Sequence, residues 1–197
     1  NSTGIQLILF CSLGFFIIGF LDDYLSIRRK NNTGLKSNEK FTLQTLISIL
    51  FILFAAQNNY INPLIFISKN WTVDTSIIIF PICFITLVGL SNAVNLTDGL
   101  DGLASGCSSI VFYGLGTEIF IKDQKELIIY GIIAYAMSGL CMGFLKFNKY
   151  PAKIFMGDTG SITIGATLGS IAIITNSFFT LFIFSGIFII EALSVII

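Results

Sequence analysis

Long apolar runs separated by short polar stretches make up most of the chain. The runs cover roughly residues 5–21, 41–56, 76–89, 103–121, 127–145, 161–175 and 179–197. A membrane-crossing helix needs about 20 mainly apolar residues, whereas a barrel strand needs about 10 that alternate. These runs are continuous and do not alternate, so the pattern predicts an all-α polytopic membrane bundle of about seven spans. Pro81 is expected to kink the third span, and Asn31-Asn32-Thr33-Gly34 to form a turn. The longest connection, 57–75, contains Asn62-Pro63, with Tyr60 and Trp71 as interface anchors and an apolar patch expected to lie along the membrane. Glycine pairs at four-residue spacing (Gly102/Gly106, Gly139/Gly143, Gly165/Gly169) predict close helix packing.

Composition supports this reading. The chain is 54% hydrophobic and 11% charged, with mean hydropathy +0.88. A soluble domain carries about 25% charged residues. Zero net charge offers no case for nucleic-acid binding. The absence of histidine excludes His-based catalysis or metal ligation within these residues. Cys11, Cys83, Cys107 and Cys141 all fall in apolar runs without paired spacing, which suits small core hydrophobes.

Alternating the spans divides the polar stretches between two faces. One face receives 22–40, 92–102 and 146–160. It carries eight of the eleven Lys and Arg residues, leaving Lys69, Lys122 and Lys125 on the other. Basic loops stay cytoplasmic, so that face is expected to be the cytoplasmic one. The same alternation delivers all three acidic clusters to it.

Those clusters are where chemistry is expected. Asn92, Asn95, Asp98 and Asp101 recur every third residue. On a helix that spacing advances by about 300°, giving one drifting polar stripe. Gly99 and Gly102 within it permit a tight turn or close ligand approach. Asp22-Asp23 closes the first run. Adjacent carboxylates diverge on a helix, which suits one to a cation and the other to a proton or a phosphate. The plainer alternative is a pair of ordinary charges closing a helix, although acids at a helix C-terminus oppose its dipole. In the third cluster, Phe155-Met156-Gly157-Asp158-Thr159-Gly160-Ser161, Asp158 stands at a helix start where anions are favoured, or else Asp158 or Ser161 serves as N-cap. Five carboxylates with Lys40 and Lys153 nearby suit Mg²⁺ held partly by substrate phosphates, and hence phosphoryl transfer.

Four stretches together resemble the polyprenyl-phosphate sugar-1-phosphate transferases: Gly19-Phe20-Leu21-Asp22-Asp23-Tyr24, residues 92–103, residues 151–161, and Glu191-Ala192-Leu193-Ser194-Val195-Ile196. The wording is most similar to the branch that handles phospho-MurNAc-pentapeptide, and the resemblance covers essentially the whole chain. It implies about ten transmembrane helices, with 1–197 a single transmembrane catalytic domain lacking both ends of the full protein. It also implies Mg²⁺-dependent transfer from UDP-MurNAc-pentapeptide to undecaprenyl phosphate, giving lipid I and UMP. The setting would be a bacterial cytoplasmic membrane, with the site on the cytoplasmic face and a homodimer left open. Carried over by motif, Asp158 is a catalytic residue and the metal ligand. Asp22 and Asp23 serve the lipid phosphate and metal region as catalytic groups. Lys40 binds phosphate, and Phe155 stacks on the uracil. Asn92, Asn95, Asp98, Gly99, Leu100, Asp101, Asn148 and Gly157 line the nucleotide-sugar pocket. One departure is Ser26, where the family often has lysine; Arg28 or Arg29 is the candidate substitute. The family's histidine-rich loop is expected beyond Glu191-Ile196.

Two rivals remain. A sister enzyme using UDP-N-acetylhexosamine keeps the mechanism and changes the donor. A cation transporter needs acids in mid-span, and ten of the eleven acids fall in loops or near the ends of runs, with only Glu191 well inside one.

Overall fold

The computed structural model describes residues 2–30, 34–68 and 71–196. Residues 31–33 of the expected turn, and Lys69, lie outside them. Among the described residues, eight helices and one hairpin follow in order: α1 (Ser2–Arg29), α2 (Ser37–Gln57), β1 (Leu64–Ser68), β2 (Trp71–Asp74), a 3-10 turn (Ser76–Ile78), α3 (Ile79–Thr97), α4 (Leu103–Ile121), α5 (Ile128–Asn148), α6 (Gly157–Thr175), α7 (Phe178–Phe184) and α8 (Gly186–Ile196). Five of the helices, α1 to α5, are long and apolar enough to cross a membrane; for the third the stretch includes the 3-10 turn. The all-α membrane class therefore holds, with five such helices where about seven spans were expected.

The two remaining apolar runs are built differently. α6 is the central helix: from Ser161 to Thr175 every residue except Thr163 is buried. A helix wrapped by protein does not need a lipid-compatible surface, so its threonines, serines and glycines are tolerated. Its small residues let α3 come close. A Cβ added at Gly165 would sit 2.4 Å from Ser91 Cα, and one at Gly169 would sit 3.2 Å from Leu87. On its α1 side, Ser12 and Thr167 share a hydrogen bond of 2.8 Å. The seventh apolar run instead breaks at Ser185 into α7 and α8.

α4 and α5 form a second tight pair. Ser138 donates to the Ser109 carbonyl at 2.8 Å, and Ser109 donates back to the Ser138 carbonyl at 3.1 Å. Gly102 and Gly106 face Leu145 of α5, as their spacing predicts. Gly139 and Gly143 do not follow: nothing lies within 4 Å of a Cβ built at either. Four-residue spacing aligns two glycines on one helix face, but it does not say that a neighbour covers that face.

Three other expectations change. α1 runs two turns beyond Asp22-Asp23 and carries Arg28 and Arg29 in its last turn. The acids are therefore inside the helix, and the C-terminal dipole argument does not apply to them. Pro81 falls in the first turn of α3, where backbone N–H groups have no helical acceptor, so no kink is required. The patch expected to lie along the membrane is the β1–β2 hairpin, pairing Leu64 with Asp74 and Ile65 with Val73. Its isoleucines, phenylalanine, tryptophan and valine favour strand.

The ends of the bundle differ. At one end Asn176, with φ 50°, closes α6 and donates to the Leu64 carbonyl of the hairpin. There the Lys122 ammonium donates to the carbonyls of Thr175 and Asn176, covering the negative end of the α6 dipole. At the other end meet the end of α1 and the starts of α2, α4 and α6, with the ends of α3 and α5. All four cysteines are free, three of them buried and Cys107 half-buried.

Candidate active site

The first turn of α6 organises this second end. Gly157 begins the helix with φ 65°, a left-handed conformation that glycine adopts without strain. The position before it, Met156, provides no side-chain cap. The cap comes instead from α1. The Asp23 carboxylate accepts the Asp158 N–H at 3.2 Å, the Thr159 N–H at 2.9 Å and the Thr159 hydroxyl at 2.5 Å. A carboxylate at a helix N-terminus is favoured both by orphan donors and by the dipole. Close approach of the two helices depends on Gly19, where a Cβ would meet the Asp158 backbone at 2.3 Å.

Asp22 points elsewhere, as adjacent residues on a helix must. Its carboxylate accepts the Leu35 N–H at 3.0 Å, holding the loop before α2 against α1. Gly34 allows that approach, since a Cβ there would lie 2.5 Å from the Asp22 carboxylate. Arg29 donates to the Gly34 carbonyl at 2.7 Å.

Asp158 is held from both sides. One oxygen accepts the Asn95 amide at 2.7 Å, and the other pairs with the Lys40 ammonium from α2. The Asn95 amide also donates to the Ser161 hydroxyl at 2.9 Å. Three helices, α2, α3 and α6, thus meet on one carboxylate. Asp22, Asp23 and Asp158 are all half-buried, and one oxygen from each lies within 4.8 Å of the others. Three hard oxygen donors at that separation fit a divalent cation such as Mg²⁺. Asp98 closes α3, beside the Asp158 and Asp23 charges and the Gly157 backbone. Burial pushes its carboxyl up to about 6, and the negative charges of Asp158 and Asp23 add to the rise while the Gly157 backbone opposes it.

The remaining motif residues form a neighbouring group. Asn148 is 2% exposed. Its carbonyl accepts the Gly102 N–H at 3.2 Å and the Ser105 hydroxyl at 2.9 Å, and its amide donates to the Ile154 carbonyl at 3.0 Å. Asp101 accepts the Ala152 N–H at 2.8 Å. These bonds secure the 149–156 loop, which presents Phe155 to solvent. Gly99 and Leu100 lie exposed in the turn between α3 and α4. Asn92 lies one turn deeper than Asn95, paired with Gln44 of α2. Sequence reading passed over Gln44, although a glutamine inside an apolar run, four residues after Lys40, was a visible signal. It named Thr159, Gly19 and Gly34 within motifs but not their roles, which lie in contacts between distant segments.

Apolar helices, five of them long enough to cross a membrane, with carboxylates and a lysine clustered at one end define the class of polytopic helical membrane proteins. Within that class, residues 5–176 match the model of glycosyl transferase family 4, and the chain belongs to that family. Three curated relatives to which the chain is similar are all from Prochlorococcus marinus and all named phospho-N-acetylmuramoyl-pentapeptide-transferase. The protein of subsp. pastoris (strain CCMP1986 / NIES-2087 / MED4) is 79% identical over 197 residues, covering all of this chain and 55% of the relative. That of strain MIT 9515 is 80% identical over 194 residues, covering 98% and 53%. That of strain MIT 9313 is 40% identical over 186 residues, covering 94% and 50%. The chain spans about half the length of the curated relatives it matches.

Proposed function

We propose that the full-length protein transfers phospho-MurNAc-pentapeptide from UDP-MurNAc-pentapeptide to undecaprenyl phosphate, releasing UMP and forming lipid I. It would do so at the cytoplasmic face of a bacterial cytoplasmic membrane. The observation that carries this reading is the meeting of Asp22, Asp23, Asp158 and Lys40 at one end of an apolar bundle. A site so placed admits one substrate from the bilayer and one from water. The curated relatives' name supports the choice of donor.

Asp22, Asp23 and Asp158 would hold Mg²⁺, which supplies charge neutralisation for the transferring phosphoryl group. Lys40 supplies a compact positive charge beside it, able to move from carboxylate to phosphate. Asn95 keeps Asp158 oriented when Lys40 does so. Phe155 and the 149–156 loop, held by Asn148 and Asp101, offer a stacking face for the uracil.

The test follows UMP release by the full-length protein in detergent with undecaprenyl phosphate. It uses UDP-MurNAc-pentapeptide and, in parallel, UDP-N-acetylglucosamine, each with Mg²⁺ and with a chelator. Release from the pentapeptide donor alone, lost on chelation, is the expected result. Release from the smaller donor would move the protein to the sister branch, and release from neither would remove the transferase reading.

Asp98 adds a pH dependence. Below about 6 it is protonated, and above that it contributes a further negative charge beside Asp23 and Asp158. A cation favours the ionised form, so it binds more weakly wherever it must first displace that proton. The Mg²⁺ concentration for half-maximal activity is therefore expected to fall as pH rises from about 5 to about 7. Asp98→Asn should flatten this trend; an unchanged slope would assign it to another group.

A further inference from the structure

Among the described residues, two side-chain links join α2 to other helices: Lys40 with Asp158, and Gln44 with Asn92. The remaining buried face of α2, including Phe51, Ile52 and Ala55, packs through apolar contact, which has no direction of its own. Gln44 is fully buried. The Asn92 amide donates to the Gln44 carbonyl oxygen at 2.8 Å and to the Val88 carbonyl at 2.7 Å, so both its N–H groups are used. A longer contact of 3.5 Å returns from the Gln44 amide to Asn92.

Geometry ties this pair to the site. Gln44 follows Lys40 by four residues, and Asn92 precedes Asn95 by three, so each shares a helix face with a residue that holds Asp158. The amide pair therefore lies about one turn, 5.4 Å, deeper than the Lys40–Asp158–Asn95 contacts. Buried amides in apolar surroundings are costly unless paired, so neither side chain gains by separating. When a phosphate draws Lys40 away from Asp158, this pair is the directional link that stays.

We propose that Gln44 is a positioning residue: its bond with Asn92 fixes the height and rotation of α2 against α3, so that Lys40 is presented at the reacting phosphates. This assigns Asn92 to the same clasp, away from direct substrate contact. The proposal rests on the transferase reading above, and its test separates the two. In the full-length protein, Gln44→Leu keeps the volume and removes the amide. Its kcat is expected to fall about tenfold or more, with KM for the nucleotide donor within about threefold of wild type, since misplacement costs rate more than ground-state binding. The swapped pair, Gln44→Asn with Asn92→Gln, restores complementary amides and is expected to recover most of the lost rate.

A second readout does not need turnover. Lys40 should react several-fold faster with a water-soluble amine reagent in Gln44→Leu than in wild type, measured peptide by peptide by mass spectrometry, because its hold on Asp158 is loosened. Wild-type kcat and unchanged Lys40 labelling in Gln44→Leu would overturn the proposal. So would a swapped pair as impaired as the single variant. If Gln44→Leu does not fold, the swapped pair decides alone, recovery supporting the clasp and failure overturning it. If the wild type releases no UMP, the transferase reading fails, and the labelling ratio still decides the clasp.

Discussion

In the full-length protein, Asp158→Asn is expected to lower the proposed UMP release by about 10²- to 10³-fold or more while leaving the protein folded, a loss in the range seen when one group stabilising developing charge is removed. The substitution keeps size and shape but turns an acceptor of two donors into a group with one acceptor and one donor. Asn95 and the Lys40 ammonium both donate to Asp158, so one of them must face an amide NH₂. Lys40 loses its counter-charge, and one of three clustered carboxylates is gone. The fold should survive because the cap on α6 uses the backbone N–H groups of Asp158 and Thr159, with Asp23 as acceptor. Those groups are unchanged. Removing one like charge from the cluster also relieves repulsion in cation-free buffer. The expected signature is therefore a dead enzyme with a thermal midpoint equal to or above wild type. Retention of more than a few per cent of activity would remove Asp158 from the cation-binding role. A collapsed midpoint would mean that the Lys40–Asp158 pair is principally structural.

The apolar pattern made five of the helices legible because each of α1 to α5 is continuous and long. It said less about α6, whose position comes from protein neighbours and not from lipid, and it joined α7 and α8 because both are apolar on either side of the break. The acidic words were legible as words, and alternation of spans brought them to one end. How they connect was not legible. That Asp23 caps a helix 134 residues later, or that Asn148 spends its amide on Gly102, Ser105 and Ile154, depends on packing between distant segments. Glycine spacing had the same limit: a Cβ built at Gly165 or Gly169 would meet α3, whereas one built at Gly139 or Gly143 would meet nothing within 4 Å.

Gly157→Ala is the second substitution expected to abolish most activity, here through the backbone. Its φ of 65° is left-handed, which costs an L-residue about 1–2 kcal/mol. The new Cβ would also sit 2.7 Å from an Asp23 carboxylate oxygen, closer than side chains pack. Asp23 cannot yield freely, since that oxygen also accepts the Thr159 N–H and hydroxyl. Either the first turn of α6 shifts, moving Asp158, or Asp23 withdraws and uncaps the helix, worth about 1 kcal/mol. Both routes displace a carboxylate of the Asp22–Asp23–Asp158 group. A loss of about 100-fold in UMP release is expected, because an ångström of misplacement is enough for that. A lowered thermal midpoint should accompany it, in contrast to Asp158→Asn. Gly139→Ala is the matched control: its Cβ meets nothing, and alanine is favoured over glycine in a helix by about 0.5–1 kcal/mol. It should keep wild-type turnover with an equal or higher midpoint. If Gly157→Ala behaved like this control, the close Asp23–α6 junction would not be what positions Asp158.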